Sequence, residues 1–318
     1  TPHIGNYVGA LRQWVQQQDE GENIFCVVDL HALTIPEEID PKELKAASRS
    51  VAALYLAEGI DPERSIVFVQ SHVRQHSELA WILNCVTPLG WLYRMTQFKS
   101  KSEARESVGA GLLNYPSLMA ADILLYDTEI VPVGDDQVQH IELTLDVATR
   151  FNHLFGETFV MPKAVIPQFG ARIMGLDDPT AKMSKSIAVE RAGHAIDLLD
   201  SETVIRKAIM SAQTDSGREF RYEHASPGVK NLLSIEQSLT GTPIDELSER
   251  YSAGGYGDLK KGVFAAVIEA LTPLQERYNE YMDDIPSLDA LLKQGAERAA
   301  GRAEVVLSRV QHAIGVGH

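Results

Sequence analysis

The segment KMSKS at residues 182–186 places two lysines and two serines within five positions. It follows a stretch containing Gly175 and Pro179, which indicates a loop. Two ammonium groups three residues apart can bind a polyphosphate. They would stabilise the charge that moves to pyrophosphate when an α-phosphorus is attacked. The pattern therefore indicates nucleotide chemistry, although a solvated loop or a helix start can use the same residue types.

A second candidate phosphate-binding segment is HIGN at residues 3–6, where the first helix is predicted to begin. Gly5 leaves room for a flat base beside the backbone, and a helix N-terminus favours phosphate. The Asn6 amide can donate a hydrogen bond without adding charge. Alone, the tetrapeptide is typical of an ordinary helix start. Together with the lysine segment, it indicates the other part of a nucleotide site.

A single carboxylate, Asp122, falls inside the apolar helix predicted over residues 117–125. A carboxylate in such surroundings costs several kcal/mol unless it is paired or hydrogen-bonded. One explanation is a partner from the fold itself, such as a helix-end amide or an arginine. The other is a donor that arrives with a substrate.

The two phosphate-binding segments resemble the HIGH and KMSKS signatures of class I aminoacyl-tRNA synthetases, with Asn6 as the last residue of the first signature. Other blocks look like those of bacterial tryptophanyl-tRNA synthetases. These are GNY (5–7), MTQFK (95–99), YP (115–116), MAADIL (119–124), VGDDQ (133–137), HIEL (140–143), NLL (231–233) and GYG (255–257). The resemblance spans nearly the whole chain. It implies activation of L-tryptophan with ATP and Mg²⁺, transfer to tRNA(Trp), and a homodimer.

The resemblance also implies residue roles. Asp122 would read the indole N–H of tryptophan, in a pocket shared with Tyr115, Met119, Val131, Val133, Gln97 and Gln137. ATP would be bound by Gly5, Asn6, Gly134, Asp135, Asp136, Ile173, Lys182, Met183, Ser184, Lys185 and Ser186. The catalytic groups would be His3, Asn6, Lys101, Lys182 and Lys185. Two alternatives stay open: Lys101 as a solvated lysine, and Asp135, Asp136 and His140 as a metal site.

These roles need no protein nucleophile, because the carboxylate of tryptophan itself attacks the α-phosphorus. Positioning and charge neutralisation supply the catalysis, and Mg²⁺ is held mainly by the phosphates. A site that satisfies a substrate N–H also rejects analogues that lack it, because the buried acid is then left unpaired.

The elements that must position these groups alternate along the first two-thirds of the chain. Short β-branched runs predict strands at residues 24–29, 65–70, 129–133 and 172–174, and helices are predicted at 41–58, 117–125 and 136–155. Asp40, Pro41 and Glu43 favour a capped helix start, and Gly59 favours its end. Strand–helix–strand units in series predict an α/β fold with a Rossmann-like, doubly wound parallel sheet.

After residue 188 the pattern becomes helical, with predicted helices at 201–214, 227–240, 243–252, 259–282 and 288–314. The sequence therefore predicts a catalytic domain over residues 1–187, with a dimer-forming insertion at about 75–115. An all-helical, anticodon-binding domain is predicted over 188–318.

Composition sets limits on the partners. The net charge of −15 argues against broad nucleic-acid binding, so RNA must bind a restricted surface. A small basic cluster follows the lysine segment and comprises Arg206, Lys207, Arg218 and Arg221. Without a leader-like start or a long apolar run, a cytoplasmic location is predicted. Cys26 and Cys85 are predicted to be buried free thiols.

Two departures from the family pattern stand out. The chain starts at Thr1, beside the first signature, whereas the family has a strand and a glutamine-proline turn before it; a short preceding segment is therefore expected. Residues 187–189 are also more apolar than in the family. Two other functions stay open: a tyrosyl-tRNA synthetase, and a non-catalytic paralogue that binds RNA or a protein.

Overall fold

The computed structural model describes residues 2–103, 107–134, 137–165 and 172–317. The strands are Asn23–Val27 (β1), Ser65–Val69 (β2), Ile130–Pro132 (β3) and Lys163–Val165 (β4). The α-helices are Ile4–Asn6, Arg12–Gln16, Asp29–Ala32, Pro41–Ala57, Gln75–Val86, Leu89–Leu92, Thr96–Glu103, Ala110–Leu124, Val138–Phe155, Lys185–Glu190, Glu202–Ser211, Pro227–Thr240, Ile244–Ser252, Tyr256–Asp283 and Ile285–Ile314.

The strands form two parallel pairs, β1 with β2 and β3 with β4. Parallel neighbours need a crossover, and each pair has a long helix between its strands. Pro41–Ala57 connects β1 to β2, and Val138–Phe155 connects β3 to β4. The strand–helix–strand pattern expected from the sequence is therefore present, and the first pair is in register from Asn23 opposite Ser65 to Val27 opposite Val69.

The two ends of the helix Pro41–Ala57 are set by residues next to them in the sequence. Asp40 Oδ1 accepts the backbone N–H groups of Lys42 (2.7 Å) and Glu43 (3.2 Å), which would otherwise lack partners. At the other end Gly59 has φ = +110°, which favours glycine. The predicted start and stop of this helix are confirmed.

The strand predicted at residues 172–174 is wrong. Met174 and Lys182 instead form an isolated antiparallel bridge, flanked by Gly175 N–H···O Ala181 (2.8 Å) and Met183 N–H···O Ile173 (3.1 Å). The intervening chain turns back on itself at Pro179. The apolar run before this turn is one side of a narrow stem that carries the lysine segment. The missed strand, β4, has only three residues, and all three are exposed, so it carries little of the apolar signal that marks a buried strand.

The chain forms two compact units. The first, called the lysine-loop unit, contains the described residues of 1–21, 53–60 and 168–284. Its core contains residues from the first helical turns, the lysine stem and the helices after it, among them Ile4, Ile173, Met183, Leu232 and Val263. The second, called the strand unit, contains the described residues of 22–52, 61–167 and 285–318.

In the strand unit, the last helix, Ile285–Ile314, packs on β2. A Cβ at Gly295 would overlap the carbonyl group of Val67, so the helix approaches the strand where it has no side chain. Ala296, Ala299 and Ala303 continue this buried face at helical spacing.

The division expected at residue 187 therefore does not separate these two units, because the last helix packs with the strands. Periodicity predicted the helix correctly but could not say which face of the fold its small residues would cover. The catalytic and anticodon-binding roles of the two predicted domains stay predictions.

Within the described ranges, no helix combines the length and the apolar character needed to cross a bilayer. Both cysteines are free thiols; Cys26 is partly buried, whereas Cys85 is exposed. The predicted burial of Cys85 is wrong, because it lies on the outer face of Gln75–Val86.

Candidate active site

The lysine-loop unit brings the first signature against the stem of the lysine segment. The Ile4 N–H donates to the carbonyl of Ile196 (2.8 Å), and the Leu198 N–H donates to the carbonyl of Pro2 (3.0 Å). A Cβ built on Gly5 would lie 3.5 Å from Cβ of Ile173. Two segments far apart in sequence thus meet in one unit, as a shared nucleotide site requires.

The signature HIGN forms a capping box. Nδ1 of His3 accepts the Gly5 N–H (3.1 Å), and Oδ1 of Asn6 accepts the His3 N–H (3.1 Å). Burial, the positive charge of Lys182 and the neighbouring His194 together lower the pKa of His3 to about 4, with burial the largest cause. His3 is therefore neutral near pH 7 and can keep Nδ1 as an acceptor. The tetrapeptide therefore caps the first helix, as expected of an ordinary helix start.

In the lysine segment, the buried Met183 lies between two exposed lysines. Met183 is 1% exposed and lies in the core, whereas Lys182 and Lys185 are exposed. Ser184 precedes the short helix Lys185–Glu190 in an extended conformation. Met183 therefore anchors the segment while both ammonium groups stay accessible to an anion.

The strand unit contains Asp122, and three side chains hold its carboxylate. Oδ1 lies 2.6 Å from Nε2 of Gln70 and 2.6 Å from Nδ1 of His76, and Oδ2 lies 2.8 Å from Nε2 of His31. Nε2 of His76 lies 2.7 Å from the hydroxyl of Tyr126. The idea that Asp122 lacks a partner in its own fold is wrong. Imidazole and amide groups hold it, rather than the arginine or helix-end amide considered from sequence.

The count of hydrogen bonds leaves one acceptor position open. A carboxylate has about four lone-pair positions, and the three donors occupy two on Oδ1 and one on Oδ2. Burial alone would raise the pKa of Asp122. The hydrogen bonds from His31 and His76 outweigh that effect, so the net pKa is below its usual value. Asp122 is therefore an ionised, nearly buried acceptor with room for one more donor on Oδ2.

Tyr115 and Met119 share the Asp122 face of the helix Ala110–Leu124, at positions i, i+4 and i+7. The Tyr115 hydroxyl lies 2.6 Å from Nε2 of His140 and 3.4 Å from Oε1 of Gln97, and burial raises the pKa of Tyr115 to about 12. Its ring packs edge-on against His31, with 6.2 Å between centroids. The Tyr115 ring therefore lines the space beside the carboxylate, and its hydroxyl group is held by polar side chains.

Comparison with known proteins gives the family. The model of the family "tRNA synthetases class I (W and Y)" matches residues 1–272. A tryptophan–tRNA ligase of Caldanaerobacter subterraneus subsp. tengcongensis is 51% identical over 315 residues, which cover 99% of this chain and 94% of that protein. One from Thermosynechococcus vestitus is 51% identical over 319 residues, covering 98% and 96%.

A solved structure agrees in fold. The tryptophanyl-tRNA synthetase from Campylobacter jejuni, complexed with ADP and tryptophan, superposes with a TM-score of 0.87 at 36% identity, covering 99% of this chain and 96% of that one. The chain belongs to the class I tRNA synthetases of the tryptophan and tyrosine family. The α/β fold with a parallel sheet and a C-terminal helical region is that of this family.

The remaining residues expected to form the site of this class I synthetase are less closely tied to Asp122. Val131 lies on β3, and Val133 and Gln137 follow it; all three are partly buried. Gly134 is exposed, and its carbonyl accepts the Gln137 N–H (2.9 Å). Lys101 is exposed, with Nζ 5.8 Å from the centroid of the Tyr115 ring.

Two of the expected ATP-binding residues, Asp135 and Asp136, lie outside the described residues, so the alternative metal site with His140 stays untested. Ser186 belongs to the helix Lys185–Glu190. The roles of all these residues stay predictions.

Sequence reasoning missed four residues around the carboxylate: His31, Gln70, His76 and Tyr126. A signal for two of them was present. His31 follows β1 and Gln70 follows β2 directly, and the carboxyl ends of adjacent parallel strands meet at one edge of a sheet, where ligands bind. His76 and Tyr126 lie on helices, and nothing in their local sequence marks them as partners.

Proposed function

We propose that this chain is a tryptophan–tRNA ligase. It would activate L-tryptophan with ATP to give tryptophanyl-adenylate and pyrophosphate, and then transfer tryptophan to tRNA(Trp). The observation that carries the proposal is the ionised carboxylate of Asp122 with one acceptor position left on Oδ2. The high identity to tryptophan–tRNA ligases over nearly the full chain supports the same substrate.

In the first step, a carboxylate oxygen of tryptophan attacks the α-phosphorus of ATP, and the bond to the bridging oxygen of pyrophosphate breaks. The chain supplies no nucleophile. Lys182 and Lys185 neutralise charge that develops on pyrophosphate, and the Asn6 amide donates without adding charge. Among the described residues, no three carboxylate, imidazole or thiol groups are placed to share an ion. We assign Mg²⁺ mainly to the phosphates, because this ion keeps several waters and takes few protein ligands.

Tryptophan selection follows from the geometry of Asp122. With Oδ1 already accepting two hydrogen bonds, the indole N–H is expected to donate to Oδ2, next to His31. Met119 and the Tyr115 ring would pack against the indole, and Gln97, Gln137, Val131 and Val133 would complete the pocket. An amino acid without a donor at that place leaves a desolvated anion with an unmade hydrogen bond.

ATP–pyrophosphate exchange, measured separately with tryptophan and with tyrosine, tests this function. Exchange that depends on tryptophan is the expected result. Exchange with tyrosine alone would identify the tyrosyl enzyme and overturn the proposal. A folded, full-length protein with no exchange for either amino acid would identify a non-catalytic paralogue.

We also infer that two copies associate through the outer face of the helix Gln75–Val86 and through residues 87–93, which contain the short helix Leu89–Leu92. Trp81 is 70% exposed, Leu89 61% and Tyr93 53%, which is unusual for large apolar side chains so close together. A second copy of the chain, as the resemblance implied, would cover them. In sedimentation equilibrium we expect a dimer for the wild type and a shift toward monomer for Trp81→Glu. An unchanged dimer in that variant would place the interface elsewhere.

The tRNA partner and a cytoplasmic location belong to the same proposal, because the first step needs ATP and the second needs tRNA in the same compartment. In the lysine-loop unit, Arg206 lies over the ring of Phe264 (5.4 Å), and exposed Arg221 is paired with Glu219. Lys207 and Arg218 are also exposed, so this small basic cluster offers only a restricted RNA contact.

A further inference from the structure

A buried histidine lies beneath the lysine segment. His194 is 0% exposed. Its Nδ1 lies 2.5 Å from Oδ1 of Asp177, and its Nε2 lies 3.2 Å from the backbone carbonyl oxygen of Lys182. None of the roles described above uses this ring. The group it contacts at Nε2 is the main chain of the first lysine of the segment.

Both groups that contact the ring nitrogens of His194 are hydrogen-bond acceptors. A carboxylate and a backbone carbonyl both accept, so His194 makes the two hydrogen bonds together only when both ring nitrogens carry hydrogen. Arg191 lies 3.7 Å from the other oxygen of the same carboxylate, which holds Asp177 in place.

The backbone around His194 is built to admit the ring. A Cβ at Gly175 would overlap its atoms, so the stem passes the imidazole at the one position without a side chain. The Leu176 N–H donates to the carbonyl of His194 (3.0 Å), which ties the chain after the lysine segment to the stem before it. The contact therefore joins both sides of the loop at its base.

We infer that His194, held by Asp177, is a positioning residue that fixes the main chain of Lys182, so that its ammonium group meets the phosphates at the start of each activation step. Lys185 has a different setting, because it begins a short helix in which Val189 is 81% exposed. The His194 contact therefore acts on the first lysine of the segment and does not involve the second. This inference rests on the proposed function, since it assigns His194 a part in that reaction.

The primary test is a double-mutant cycle measured by ATP–pyrophosphate exchange, with His194→Leu, Lys182→Ala and the double variant. A displaced catalytic group can cost up to about 100-fold, so we expect His194→Leu to lower kcat roughly 10- to 100-fold. The KM for tryptophan should change little. If His194 acts through Lys182, the double variant should be no slower than Lys182→Ala alone. Multiplied losses would overturn the inference.

A conservative variant separates positioning from general packing. Glutamine can place its amide nitrogen near the position of histidine Nε2, so His194→Gln should keep the hydrogen bond to Lys182 and recover most of the lost kcat. Equal losses in His194→Gln and His194→Leu would contradict positioning through that bond.

If His194→Leu does not fold, Asp177→Ala provides the same cycle from a partly exposed position. Asp177→Ala should lower kcat less than His194→Leu does, and combining it with Lys182→Ala should not lower kcat below that of Lys182→Ala alone. Losses that multiply in the double variant would refute the inference. Wild-type exchange is measured in parallel. No wild-type exchange with tryptophan would refute the proposed function, whereas normal wild-type exchange with independent losses would refute this inference alone.

Discussion

The two units differ in the solvent exposure of their functional charged groups. In the lysine-loop unit, the groups expected to meet phosphate are exposed cations on a segment that is anchored through its main chain at Met183. In the strand unit, the group expected to meet tryptophan is a nearly buried anion whose side chain is fixed by three donors. One region keeps its charges in water, and the other removes its charge from water.

The difference follows from what each region must do. Neutralising a polyphosphate needs strong, adjustable charge, and exposed lysines supply it without a desolvation cost. To distinguish an indole from other side chains, the site must lose binding energy when the substrate lacks the N–H donor. That loss is large only where water cannot reach the carboxylate and donate in place of the substrate. Rigid side-chain placement therefore accompanies recognition, and accessible charge accompanies the chemical step.

The largest effect that would test this contrast is expected from Asp122→Asn. Loss of a charged acceptor costs about 2–3 kcal/mol, so kcat/KM for tryptophan should fall roughly 30- to 150-fold while the KM for ATP changes little. The ratio of kcat/KM for tryptophan to kcat/KM for its benzothiophene analogue, which lacks the N–H, should also decrease.

Asp127→Asn is the matched control for that variant. Asp127 follows the same helix and pairs with Arg309, so its loss should affect stability without changing the choice of amino acid. Unchanged analogue discrimination in Asp122→Asn would show that another group reads the indole.

A smaller effect of a different kind is expected from Lys185→Ala. If this lysine acts on charge that develops in the transition state, kcat for exchange should fall about 10-fold or more, with little change in the KM for tryptophan. Steady-state exchange at saturating ATP measures both. A proportional loss in kcat and in tryptophan affinity would remove the functional distinction between the two units.

The smallest effect concerns Glu58, in the lysine-loop unit. Both carboxylate oxygens are buried with no hydrogen-bond donor among the described residues, and burial raises the pKa of Glu58 to about 8 despite the nearby Arg277 and Arg12. The folded chain then holds a proton that the unfolded chain releases above its usual pKa of 4.5. The contribution of this group to stability is therefore present at low pH and is lost as pH rises from about 4.5 to 8.

We expect Glu58→Gln, which is neutral at every pH, to raise the free energy of unfolding by about 1–2 kcal/mol at pH 8 and to change it little at pH 4. Urea unfolding at the two pH values measures this. Asp122 should contribute in the opposite direction, since its lowered pKa adds stability that is lost as pH falls below 3.8. Destabilisation by Glu58→Gln at pH 8 would mean that the carboxylate is paired and ionised.

Much of the local structure could be predicted from the sequence, because its signals are local. The helix Pro41–Ala57 was predicted to within one residue by its cap and its terminal glycine, and Pro227–Thr240 was predicted at its observed limits. The strands β1 to β3 were placed by short β-branched runs. The strand expected at residues 172–174 failed because so short a run, with only Ile173 and Met174 apolar, also fits one side of a turn.

The sequence by itself determined the reaction class, because the phosphate-binding signatures and the block around Asp122 are contiguous and their spacing survives in any fold. Only the tertiary structure decided which side chains hold Asp122, that His194 lies beneath Lys182, and that the last helix packs on β2. Those contacts join elements far apart in the chain. Periodicity records that a residue is buried, but the packing of whole elements decides what it is buried against.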